Sequence, residues 1–163
     1  MIYKQSKMKI QIGDTAPDFT LYDSDKKQIS LSGFRGQNVL LLFYPVAFTS
    51  TCTKELCSTR DNISFYNNAN AQVLAISVDT VYSLVKYKAE QNLNFPLLSD
   101  FNKEVSRAYG CLYETFNYDM KGVSKRSAFI IDKNGIISYA EVLENASGLP
   151  NFEEIQHILA DLN

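Results

Sequence analysis

Two stretches of this chain are apolar almost without interruption: residues 39–44 (Val-Leu-Leu-Leu-Phe-Tyr) and residues 73–78 (Val-Leu-Ala-Ile-Ser-Val). Neither shows the in–out alternation of a strand with one wet face, so both are predicted as strands covered on both sides, at the centre of a sheet. Upstream, period-two alternation puts Phe19 and Leu21 on one face of an extended lead-in over residues 14–21. A charged turn at 24–27 and a short partner strand at 28–31 complete a hairpin. Residues 127–132 and 136–142 flank Asn134-Gly135, the strongest short hairpin signal in the chain. Helical spacing predicts one helix from about residue 51 toward residue 66, with Leu56, Ile63, Phe65 and Tyr66 inward and Asn67–Asn70 as its breaker. Asp79-Thr80 opens a second helix through Gln91, with Leu84, Val85 and Tyr87 as apolar positions. A short strand and turn follow at 95–100. A brief helix over 103–109 is closed by Gly110. The region 111–123 has no period and is predicted as a long loop. The last helix, 152–162, carries Ile155, Ile158, Leu159 and Leu162 on one face.

Composition narrows what such a chain can do. Its 163 residues suffice for one domain with a substantial core, over 1–163, and residues 1–9 read as a flexible polar lead. That lead lacks the apolar stretch and small-residue cleavage site of a secretory signal. A net charge of −2 offers no general attraction to nucleic acid or to an anionic membrane. No apolar run approaches the roughly 20 residues of a membrane-spanning helix. The three cysteines, an odd count, argue against a disulfide framework and for reactive thiols in a reducing cytoplasm. Metal chemistry finds little support: the only histidine, His157, lies in the last helix, and Cys52-x-x-x-x-Cys57 is not a common zinc spacing. No metal, flavin or nucleotide motif appears, so no cofactor is expected.

The chemistry concentrates where the first apolar run ends. Pro45 lacks an amide hydrogen and biases Tyr44 toward extended geometry, so the strand stops there. Thr49 or Ser50 is placed to cap the helix that follows. Cys52 then falls in the first helical turn, where free N–H groups and the helix dipole favour a thiolate.

Pro45-x-x-x-Thr49-x-x-Cys52, with an aromatic residue before it and Glu55 after it, resembles the active-site signature of the peroxiredoxins. Gly13-x-x-Ala16-Pro17-x-Phe19 resembles the opening of thioredoxin-fold peroxidases, and the resemblance extends from about residue 12 to residue 162. It implies an α/β, thioredoxin-like fold: a central mixed β-sheet flanked by helices, with an N-terminal β-hairpin extension. The element order read from the pattern agrees with it. The implied activity is thiol-dependent reduction of hydrogen peroxide and organic hydroperoxides, with Cys52 as the peroxidatic nucleophile. By the same resemblance Arg126 favours the thiolate and binds the peroxide. Thr49 bridges thiolate and substrate, Pro45 shields the sulfur from water, and Glu55 orients the arginine. Phe48, Phe116 and Tyr118 are candidates for an apolar wall.

Attack leaves a sulfenic acid that a second thiol must resolve. Cys57 stands at the spacing of the PrxQ (bacterioferritin-comigratory-protein) branch, which implies an intramolecular disulfide recycled by thioredoxin or a glutaredoxin-like thiol. In an intact helix, residues five apart are separated by roughly 140° and about 7.5 Å of rise, with Cα atoms about 8.7 Å apart. A disulfide needs about 4.4–6.8 Å, so residues around 51–57 must unwind for the bond to close. Residues 98–110 and 126–132 resemble the alkyl-hydroperoxide-reductase-E-like branch at least as well, and there an external thiol would resolve Cys52. PrxQ proteins are often monomers and E-like ones often homodimers, and both states stay open. A thioredoxin-type oxidoreductase would need Cys-x-x-Cys, which Cys52-Thr-Lys-Glu55 does not supply. A non-peroxidatic binding or chaperone module on the same fold would differ in consuming no peroxide.

Overall fold

A computed structural model describes residues 9–163. The expected polar lead therefore lies outside the described residues except for Lys9. Seven strands and five helices follow in the order β1 (Thr20–Tyr22), β2 (Gln28–Ser30), β3 (Asn38–Phe43), α1 (Ser50–Asp61), α2 (Ile63–Asn68), β4 (Ala71–Ser77), α3 (Val81–Glu90), β5 (Leu97–Ser99), α4 (Glu104–Ala108), β6 (Ser127–Ile131), β7 (Ile137–Val142) and α5 (Phe152–Asp161). The β1–β2 hairpin stands apart from a five-stranded sheet of order β5-β4-β3-β6-β7. Strands β3, β4 and β5 run parallel, while β6 is antiparallel to both β3 and β7. This is the expected mixed sheet of a thioredoxin-like fold with an N-terminal hairpin.

The uninterrupted apolar run has the predicted cause. Leu40, Leu42 and Tyr44 point into one core, with Leu56, Tyr66, Leu84, Tyr87, Ile155 and Leu159. Val39, Leu41 and Phe43 point into the other, with Phe19, Leu31, Val105, Tyr109, Phe129 and Ile131. Helices α1, α2, α3 and α5 cover the first face, whereas the second is covered by α4 and the hairpin. Both faces of β3 are dry, and alternation has nothing to mark.

Four readings of the pattern are corrected. The helix expected over 51–66 is two helices, interrupted at Asn62 (φ −103°, ψ 15°). The Asn62 side chain donates to the Ser58 carbonyl at 2.8 Å, the local competition with the backbone that makes asparagine a breaker. Val85 is exposed, unlike Leu84 and Tyr87. The 111–123 loop is a folded arm. Tyr113 N–H bonds the Val123 carbonyl at 2.8 Å and Phe116 N–H bonds the Met120 carbonyl at 2.7 Å. Its tip, Asn117–Asp119, is a 3₁₀ turn with Tyr118 and Asp119 at positive φ. Too few residues pair across the arm to leave a period in the sequence. Lastly, the Thr49 side chain makes no capping bond, although Thr49 occupies the N-cap position.

Among the described residues no helix is long and apolar enough to cross a membrane. His157 is exposed on α5, and no group of three or more His, Cys, Asp or Glu among the described residues is arranged to hold a metal ion.

Candidate active site

The site lies beyond the carboxyl ends of β3 and β4, where open α/β sheets place their ligands. The Tyr44 N–H still bonds the Ile76 carbonyl at 3.0 Å, so the ladder runs to the residue before Pro45 and stops. The chain then turns through 45–49, with Phe48 at φ 66°, before α1 begins. Cys52 is the third residue of α1 and is buried, 1% exposed.

Arg126 arrives from the other side of β3. In the antiparallel ladder Ser127 pairs with Phe43, which brings the residue before β6 level with the end of β3. Arg126 is 1% exposed, the largest fully buried side chain described, and it is satisfied by specific partners. Its Nη2 donates to Cys52 Sγ at 3.3 Å and to the Ala146 carbonyl at 3.0 Å; Nε donates to the same carbonyl at 3.2 Å; Nη1 donates to Glu55 Oε2. Four of the five guanidinium hydrogens are thus committed, and one on Nη1 remains for a ligand. Burial alone would make this cation easier to deprotonate, but the attraction of Glu55 and Cys52 outweighs it and holds the guanidinium firmly charged.

Glu55 is fully buried, and its second carboxyl oxygen, Oε1, has no hydrogen-bond partner. Burial pushes this carboxyl up to about 7, against the opposing pull of Arg126. A proton taken up on Oε1 leaves the Arg126 bond at Oε2 in place. The pH dependence follows from the sign of the shift. Below the ordinary value of 4.5 the group is protonated both folded and unfolded, and above about 7 it is ionised in both. Between these values the folded chain binds more protons, so this group's contribution to stability is lost as pH rises. The stability of the wild type relative to Glu55→Gln should therefore fall from pH 4.5 to about 7 and stay flat on either side. Denaturant titrations of both proteins across that range check it; a constant or rising difference contradicts it.

Thr49 lines the same cavity as Cys52, from the loop. Its hydroxyl donates to the Val46 carbonyl at 2.7 Å. With its single proton committed there, Thr49 Oγ1 presents lone pairs only, as an acceptor for an incoming O–H. Pro45, Thr49, Cys52, Phe116, Tyr118 and Met120, together with Arg126, contribute to the wall of a cavity of about 290 Å³. A water's share of liquid volume is about 30 Å³, so this cavity has room for a peroxide carrying a sizeable apolar substituent. Phe48 is not part of that wall. It is half exposed, and its ring packs 4.9 Å from Tyr87 on another side of the loop.

The structure brings together Cys52, Thr49, Pro45, Arg126 and Glu55, and leaves Cys57 apart. Cys57 is half buried on the side of α1 facing α3, with its thiol 3.6 Å from Gln91 Oε1. The turns between Cys52 and Cys57 are intact helix and both thiols are unbonded. Cys111 is buried in the core on the opposite face of the sheet. Arg60 and Asp61 form a half-exposed ion pair at 2.9 Å, away from the sulfur. Sequence reasoning passed over Ala146, which acts through a backbone carbonyl and leaves no trace in residue type. It also passed over Met120, whose place in the wall depends on the folded arm.

The AhpC/TSA family profile matches residues 12–140. Alkyl hydroperoxide reductase E of Mycobacterium tuberculosis is 41% identical over 136 residues, 82% of this chain and 86% of that protein. Chloroplastic peroxiredoxin Q of Oryza sativa is 37% identical over 131 residues, 80% of this chain and 58% of that protein. Among solved structures, peroxidoxin BcpB of M. tuberculosis superposes with a TM-score of 0.83 at 28% identity, covering 94% of this chain and 99% of that one. PrxQ of Xylella fastidiosa gives 0.84 at 28% identity, covering 94% and 98%.

Proposed function

The chain belongs to the AhpC/TSA family and is a thiol-dependent peroxidase of the peroxiredoxin kind, and from that premise we propose that Cys52 is the attacking sulfur and that Arg126, Thr49, Pro45 and Glu55 assemble its site within one thioredoxin-like domain. The observation that carries this reading is the divided grip of Arg126, one amino group on Cys52 Sγ at 3.3 Å and the other on Glu55.

The thiolate of Cys52 attacks one oxygen of the peroxide along the O–O axis. An S–O bond forms, the O–O bond breaks, and its electron pair leaves on the departing oxygen, which takes a proton to become an alcohol or water. The sulfur, oxidised by two electrons, becomes sulfenic acid. Charge moves from sulfur to the departing oxygen, so a guanidinium already seated against the sulfur, with one Nη1 hydrogen uncommitted, can follow that charge without reorganising. Thr49 Oγ1 accepts from the peroxide O–H and fixes its orientation. Pro45 offers no donor and keeps water from competing at the sulfur. Glu55 touches no reacting atom and holds the arginine. The substrates are hydrogen peroxide and organic hydroperoxides, the latter with their apolar group against Phe116, Tyr118 and Met120.

In the resolving step the Cys57 thiolate attacks the Cys52 sulfenic sulfur, expelling hydroxide, and thioredoxin or a glutaredoxin-like dithiol reduces the disulfide. A second reading is favoured by one observation: intact helix separates the two thiols, and Cys57 is engaged with Gln91. In that reading an external thiol attacks Cys52 directly. Either course needs a reducing compartment such as the cytoplasm.

The deciding experiment treats reduced protein with equimolar hydrogen peroxide and reads peptide masses with and without a sulfenic-acid trap. The expected result is loss of two hydrogens mapping to a Cys52–Cys57 disulfide. A trapped Cys52 sulfenic acid with Cys57 reduced supports the external thiol, and an unmodified Cys52 ends the reading.

A further inference from the structure

Three observations converge beneath the 45–49 loop. The Ala47 N–H, in the middle of that loop, donates to Asp79 Oδ2 at 2.9 Å. The Ser77 hydroxyl, itself fully buried, donates to the same Oδ2 at 2.6 Å. The Asp79 carbonyl accepts from the Ser99 hydroxyl at 2.7 Å. Asp79 is thus fixed at the carboxyl ends of two neighbouring parallel strands, β4 and β5, and reaches across to the loop that leaves a third, β3. Beside this network the Tyr44 hydroxyl is buried without a hydrogen-bond partner. Burial raises that phenol well above its ordinary range, against the influence of Ser77, so it stays neutral.

The loop needs such a tether. Pro45 has no N–H to give, and Phe48 holds φ at 66°, a left-handed conformation that is strained for a bulky side chain. Inside the loop, the Thr49 hydroxyl bond to Val46 closes the turn on itself but anchors it to nothing outside. Between the last ladder bond of β3 at Tyr44 and the first bond of α1, from Thr53 N–H to the Thr49 carbonyl, Ala47 to Asp79 is the hydrogen bond that ties this segment to the sheet. Pro45 and Thr49, on either side of Ala47, both face the cavity over Cys52.

We propose that Asp79 is a positioning residue for peroxide reduction: by holding Ala47 it sets the placement of Pro45 and Thr49 over the Cys52 sulfur. Asp79 touches neither sulfur nor substrate. Its effect falls on the orientation of the peroxide and leaves the sulfur's own reactivity, which rests on Arg126 and the helix start, in place. Asparagine can substitute, because an amide oxygen at the position of Oδ2 accepts from both Ser77 and Ala47.

The test compares two reactions of Cys52 in the full chain: oxidation by hydrogen peroxide in a single turnover, and alkylation by iodoacetamide, which needs the thiolate but no oriented O–O bond. A misplacement of about 1 Å costs on the order of 100-fold, so Asp79→Ala should lower the peroxide rate constant about 30- to 100-fold while alkylation changes less than about threefold. Asp79→Asn should restore the peroxide rate to within about threefold of wild type. An Asp79→Ala protein with an unchanged peroxide rate overturns the proposal, as does an equal fall in both reactions or failure of asparagine to rescue. Should the alanine variant not fold, Ser77→Ala and Asp79→Asn carry the test. Loss of the Ser77 bond must slow peroxide more than alkylation, and asparagine must slow neither; any other pattern overturns the proposal. The inference rests on Cys52 as the attacking sulfur. Failure of that reading would show in the wild type, as peroxide leaving Cys52 unoxidised.

Discussion

Cys52→Ser should abolish peroxide consumption, lowering the second-order rate constant on the order of a thousandfold or more, to the level of the buffer. The exchange leaves almost the same volume in the same place, inside a core with Leu56 and Tyr44, so the protein remains folded. What it removes is ionisation. A thiol is intrinsically far more nucleophilic than an alcohol, whereas a serine hydroxyl stays protonated and weak. Cys57→Ser behaves differently. It should leave the first oxidation of Cys52 at its full rate and slow only turnover with a dithiol reductant, and Cys111→Ser should change neither. Peroxide competition assays on the three variants check this. A Cys52→Ser protein retaining more than about one per cent of wild-type activity would transfer the chemistry to another residue.

Much of this site was legible because it depends on local sequence. Pro45 terminates a strand whatever surrounds it, and a cysteine seven residues on, behind a polar turn, falls in the first helical turn by counting alone. The pairing of Arg126 with Glu55 came from resemblance, since 71 residues separate them and no local rule connects them. The structure supplies the missing link in the β3–β6 register, where Ser127 faces Phe43. Tertiary placement also explains the errors. Aromatic character alone groups Phe48 with Phe116 and Tyr118 as candidate walls of the pocket. A positive φ turns Phe48 away onto Tyr87, and conformation at a single residue is invisible to composition. Asp79 reads in the sequence as a helix opener next to Thr80. Its bond to Ala47 spans 32 residues and exists only because β3 and β4 are parallel neighbours that end at the same level. Thr80 itself fulfils its local role, accepting from the Ser83 N–H at 3.2 Å.

Arg126 is the second residue whose loss should dominate, and its replacement acts in two ways that can be separated. Arg126→Ala removes the donor on the sulfur and the uncommitted hydrogen meant for the peroxide. Loss of one preorganised donor to developing charge costs about 10²–10³ in rate, and a comparable fall is expected for Cys52 oxidation. The same change strands Glu55, fully buried with Oε1 already unpartnered. Removing one partner of a buried ion pair destabilises by about 3–5 kcal/mol when the other stays charged. Glu55 has an escape: its carboxyl already stands at about 7 with the arginine present. Without Arg126 it takes up a proton at neutral pH and avoids most of that penalty. The double variant Arg126→Met, Glu55→Gln therefore distinguishes the two roles. It should regain the remaining stability lost in Arg126→Ala, as read by denaturant midpoint, and regain none of the peroxide rate. Arg126→Lys should stay nearly as slow, because an ammonium is a point charge on a flexible stem and lacks the planar fork that reaches Glu55, Cys52 and the Ala146 carbonyl together. If stability and rate returned together in the double variant, Arg126 would be a structural support for α1, and the peroxide oxygen released as Cys52 attacks would need another donor.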